Sequence, residues 1–152
     1  MHGGPFDAPK QIMIDADWAL GGLFLSSFLA ATLLPGGSEA AFLAFVATWP
    51  AQQTEALLTA TLGNTLGGMS SYALARLLPE KSLTKLGEKP LALARRWGSP
   101  ILFLAWVPLI GDLLCVAAGW LRLPWLPCLL WMALGKGLRY AFIAVGWQWL
   151  AG

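Results

Sequence analysis

What most restricts this chain is where its cations are missing. No lysine or arginine occurs between residues 11 and 75, and none between residues 97 and 121. Six of the ten basic residues lie between residues 76 and 96, opposed there only by Glu80 and Glu88. The pattern reads as two apolar halves joined by one solvated basic connector. The 152-residue chain is 57% hydrophobic and 12% charged, about half the roughly 25% charged fraction of a soluble domain. A soluble domain this small could not cover so much apolar surface, whereas a bilayer removes the need. The expected class is an all-α integral membrane protein, with the basic segment 76–96 in the cytoplasm by the positive-inside rule. The alternative is a soluble charged linker with no topological meaning.

Hydrophobic run lengths divide the chain further. Residues 1–17 carry no signal-peptide pattern and are expected to be a flexible tail; His2, the one histidine, lies there. Residues 18–150 are expected to form one membrane domain. Within it, residues 18–49 hold an apolar run, then Pro35-Gly36-Gly37-Ser38-Glu39, then a run about half the ~20 residues a spanning helix needs. A re-entrant hairpin with Pro35-Gly36-Gly37 at its tip fits that shortness. Residues 55–78 are long enough to span and contain Gly63-Asn64-Thr65-Leu66-Gly67, a GxxxG pattern that favours close helix packing. Residues 79–97, interrupted by Gly87 and Pro90, suit interfacial helix. Residues 99–121 are broken at Pro108, Gly111 and Asp112, so a span and a second hairpin both remain open. Residues 124–150 form a long apolar helix carrying Lys136 and Arg139. Seven tryptophans (Trp18, Trp49, Trp97, Trp120, Trp125, Trp147 and Trp149) flank apolar runs, as an interfacial belt requires.

The halves resemble each other. Pro35 and Pro108 are each followed four residues later by an acid, Glu39 and Asp112. Gly63-Asn64 and Gly135-Lys136 follow at nearly equal distance. A hairpin plus one span makes an odd number of crossings, which inverts the second repeat relative to the first. Inverted repeats with broken helices are a transporter signature.

Four charges and one amide carry the chemistry. Ionisable groups at membrane depth cost roughly 2.5–3.5 kcal/mol on insertion scales, so they need partners or a wet cavity. Lys136 and Arg139, three apart and hence on one helix face, are expected to meet Asp112, Glu39 or an anionic substrate. Arg139 can hold a phosphate in bidentate fashion and Lys136 supplies a point charge. Glu39 and Asp112 can exchange protons; the alternative places each at the interface as a helix N-cap. Asn64, matching Lys136, can add a hydrogen bond. A purely structural ion-pair network remains an equal alternative for all four charges. Arg76 and Arg122 end apolar segments and are expected to reach the headgroups. Cys115 and Cys128 read as buried hydrophobes. No catalytic set, metal cluster, cofactor site or phosphate loop is expected, and therefore no enzyme activity.

Residues 26–39 (SSFLAATLLPGGSE), 61–68 (TLGNTLGG), 107–120 (VPLIGDLLCVAAGW) and 134–140 (LGKGLRY) together resemble the YqaA family of small bacterial inner-membrane proteins. That family sits in the DedA group, also called the VTT-domain or SNARE-associated Golgi protein superfamily. The resemblance implies two facing re-entrant hairpins, adjoining spanning helices and lipid transport. Undecaprenyl phosphate recycling, phospholipid scrambling and proton coupling are associated with members of the group. Glu39 matches the acidic position of the first DedA hairpin. The two arginines that usually flank the second hairpin's proline are absent: Ala105 and Gly111 stand there, with Asp112 beside the latter. The expected function is thus movement of an anionic lipid headgroup, with membrane lipids as partners, no nucleic acid, and a homodimer compatible with so small a chain. A small-ion or small-solute transporter and a non-transporting interaction protein are the rivals.

Overall fold

The computed structural model describes residues 7–32, 37–79, 81, 87–107 and 109–152. Among them every regular element is helical and there is no strand. In order they are α1 (Asp7–Thr32), α2 (Gly37–Thr48), a single 3-10 turn (Pro50–Gln52), α3 (Gln53–Ala75), α4 (Glu88–Trp97), a 3-10 segment (Ser99–Trp106), α5 (Ile110–Trp120) and α6 (Trp125–Ala151). Pro35 and Gly36, Glu80, Pro108 and His2 lie outside the described residues.

The expected tail is corrected at once: α1 begins at Asp7, well inside residues 1–17. Charge at Asp7, Lys10, Asp15 and Asp17 ends an apolar pattern but does not end a helix, which continues into water when its backbone hydrogen bonds continue. At 26 residues, α1 is about 39 Å long, more than the ~30 Å hydrocarbon thickness.

Glycine contacts set how the helices run. A Cβ added at Gly63 would lie 2.5 Å from the Phe24 carbonyl oxygen, and one at Gly67 2.5 Å from that of Phe28. Ascending residues therefore meet ascending residues, and α1 and α3 are parallel, packed backbone to backbone as the GxxxG spacing allows. The chain between them must return, and α2, about 18 Å long at 12 residues, carries most of that return. Gln148 bonds Gln53 at 2.9 Å, Gly137 faces Thr61 and Gly68 faces Met132, so α3 and α6 are antiparallel.

The second half runs likewise. Ser99 meets Cys128, Phe103 meets Trp131, and Gly135 faces the Phe103 carbonyl. The 3-10 segment is thus parallel to α6, as α1 is to α3. The 3-10 segment ends at Val107, which is extended, and Leu109, before α5, has φ +67°; α5 then returns until Gly119 abuts the Tyr72 carbonyl. The open question about residues 99–121 is answered in part: they are no continuous helix. Nor does Pro90 interrupt α4; it lies within the first turn, where a proline's missing N–H has no intrahelical partner to lose.

Two buried clusters form the core. One joins α4, the 3-10 segment, α5 and the start of α6 around Leu102, Leu114 and Met132. The other joins α1, α2, α3 and the end of α6 around Phe42, Val46 and Tyr140. Apolar side chains also cover the outside: Leu58, Leu62 and Leu66 on α3, and Leu130, Leu134, Leu138 and Phe142 on α6, each four residues apart and exposed. Among the described residues, α6 is the one helix long and apolar enough to cross a membrane.

Candidate functional site

Each acid is the third residue of a short helix, Glu39 in α2 and Asp112 in α5. A carboxylate in a first turn is favoured by the positive end of the helix dipole. Asp112 is not the N-cap: Leu109 holds that position and no side chain caps it. Both acids face α6, which supplies both cations.

The two cations sit in different surroundings. Lys136 is fully buried. Its ammonium donates to the Asn64 backbone carbonyl at 3.0 Å, to Asn64 Oδ1, and to Asp112 Oδ1 at 3.5 Å. An ammonium has three donors, so all are used inside the protein. Asn64, itself buried, donates through Nδ2 to the Ser27 carbonyl at 3.0 Å. One polar chain thereby links α1, α3, α6 and α5. Gly68 makes room for it: a Cβ there would lie 2.6 Å from Met132 Sδ and 3.2 Å from Lys136 Nζ.

Arg139 pairs with Glu39 at 3.3 Å, their side chains being 13% and 25% exposed. Its guanidinium carbon lies 5.2 Å from the Tyr140 ring centre, within cation–π range. A guanidinium has five N–H donors, and the buried Nε has no hydrogen-bond partner among the described residues. Here donor capacity remains. A cavity of about 640 Å³ lies beside this pair, walled by Phe103 and Trp106 of the 3-10 segment and Leu138, Phe142 and Ile143 of α6.

All five residues singled out from sequence are thus brought together in two groups: Lys136 with Asp112 and Asn64, and Arg139 with Glu39. The aromatic wall was not anticipated. Phe103 and Trp106 are three apart, which places them on one side of a 3-10 helix; an apolar run alone does not announce that period. Cys115 and Cys128 are free and buried. Among the described residues no cluster could hold a metal ion.

No family model matches the chain, and no solved structure matches it. Curated relatives do. It is 43% identical over 122 residues, 80% of this chain and 86% of the relative, to "Inner membrane protein YqaA" of Escherichia coli (strain K12). The protein of that name from Shigella flexneri matches to the same extent. An uncharacterized protein of Haemophilus influenzae is 36% identical over 131 residues, 78% of this chain and 80% of its own length. Identity of this extent makes the chain a member of the YqaA family of bacterial inner-membrane proteins, within the DedA group.

Proposed function

We propose that this protein is a transporter that moves the anionic headgroup of a membrane lipid across the bilayer, with the Glu39–Arg139 pair as its working site. The observation that carries this is an arginine held in an apolar bundle, paired once, with N–H donors to spare. A phosphate or carboxylate headgroup can take those donors, and Glu39 can release Arg139 to it. Lys136, Asp112 and Asn64 then act together as a pin between the two halves, since no donor of Lys136 is left for a substrate. No covalent chemistry is involved, so the protein is not an enzyme.

The architecture in this reading is an inverted repeat: α1, α2 and α3 against the 3-10 segment, α5 and α6, each a re-entrant hairpin followed by a span. Three relations support it. The first arm of each half is parallel to its own long helix, the two long helices are antiparallel, and each acid opens the second arm. Asn64 and Lys136 hold equivalent places and touch, as residues near a two-fold axis do. Two tryptophan levels support the membrane placement: exposed Trp97 and Trp125 at one end of the bundle, exposed Trp18 and Trp149 at the other.

Reconstitution in liposomes tests the function. Arg139→Gln should reduce lipid flipping to the level of protein-free vesicles while the protein still purifies as the folded species. Flipping unchanged by Arg139→Gln would refute the site.

A further inference from the structure

We infer that the cavity between the 3-10 segment and α6 is a slot for one hydrocarbon chain of the lipid whose anionic headgroup meets Arg139. This rests on the reading above and adds where the tail goes.

The slot exists because the halves pack unequally. In the first half both Gly63 and Gly67 let α1 lie against α3. In the second, Gly135 lets the 3-10 segment touch α6 at Phe103, but one turn further the residue is Arg139. A large side chain there keeps the two elements apart, and the cavity opens between them. Its volume of about 640 Å³ falls within the roughly 300–1,000 Å³ of pockets that hold small molecules.

Its chemistry selects an amphiphile. Apart from the ion pair, the lining residues are apolar and offer nothing to a sugar or a hydrated ion. The pair offers a buried guanidinium N–H without a partner. Trp106, Leu138 and Phe142 are exposed, so the mouth lies on the outer face of the bundle, continuous with the apolar stripe of α6. A tail can enter sideways from the bilayer. Lipid tails are as apolar as leucine, so the slot gains no hydrophobic affinity over the membrane. Shape selects the tail and charge retains the headgroup.

The test is photolabelling of the full chain in phosphatidylcholine vesicles containing a trace of phosphatidic acid with a diazirine at the end of one acyl chain. Mass spectrometry should find adducts on residues 103–106 and 138–143 in excess of those at exposed Leu58 and Leu62 on α3. Ile143→Trp, filling the slot from a wall outside the ion pair, should abolish the excess; Leu138→Trp serves if that variant does not fold. A phosphatidylcholine probe with the same chain should give no excess. Equal labelling of both faces, or an excess untouched by the filling variants, overturns the slot. Excess labelling without lipid flipping supports the slot while refuting transport; flipping that survives both filling variants refutes the slot and leaves transport standing.

Discussion

The two cations on α6 differ in what their removal leaves behind. Lys136→Met strands Asn64 Oδ1 and deprives Asp112 of its partner. An unsatisfied buried polar group costs about 1–3 kcal/mol, and a loss of that size should appear as a lower melting temperature in detergent. Replacing a whole buried ion pair by apolar residues is often neutral or stabilising. Lys136→Met combined with Asp112→Leu should therefore recover the share of the loss that comes from Asp112, with Asn64 Oδ1 still unsatisfied, and retain flipping. If the double variant is as unstable as the single one, Asp112 is not the group left stranded. If it is stable but inactive, the lysine pair belongs to the working site. The charged residues of both groups could be found in the sequence because a charge in an apolar run needs a partner or water, whether its role is structural or functional. Their division into a used-up lysine and an arginine with free donors could not, since it depends on which side chains converge from four helices.

At the scale of elements, glycines separate into those that touch a neighbour and those that do not. An added Cβ at Gly119 would fall onto the Tyr72 backbone, whereas Gly21 and Gly22 meet nothing within 4 Å. Overpacking typically costs about 1–3 kcal/mol, so Gly119→Ala should lower the thermal midpoint clearly. Gly21→Ala should raise stability by roughly 0.5–1 kcal/mol, since alanine is the better helix former. Equal effects would mean that α5 does not approach α3 this closely. The GxxxG of α3 signalled its close contact in sequence, because small residues at that spacing have a packing use. Gly119 gave no such sign, standing alone before Trp120. The start of α1 and the 3-10 form of residues 99–106 were also hidden. Hydrophobic pattern reports burial, and neither a helix that continues through charged residues nor a tightened ladder alters it.

For the molecule as a whole, the ends of the bundle differ in charge. Arg76, α4 with Arg95 and Arg96, and Arg122 gather where α3 ends and α6 begins. The exposed Asp15, Asp17 and Glu55 lie at the opposite end. A cysteine introduced at Lys89 should therefore react with an impermeant maleimide only when the cytoplasmic face is open; the buried native cysteines give a low background. Labelling in intact spheroplasts would reverse the orientation. The class and the broken segments could be read from cation placement and run lengths, which are global properties of the bilayer as solvent. The helix directions could not, because they come from side-chain contacts between distant residues.

Two acids against two bases leave the interior with no net charge in its paired state. A membrane voltage then has little to pull on while the protein is empty. Under the proposed transport, a monoanionic lipid joining the site gives the moving unit a charge, on which 100 mV acts with about 2.3 kcal/mol. In vesicles clamped with valinomycin, reversing the potassium gradient should reverse the leaflet in which an anionic probe accumulates and leave a zwitterionic probe unmoved. An anionic probe indifferent to the clamp would mean that a proton crosses with it, and the polarity of the cell would then drive nothing.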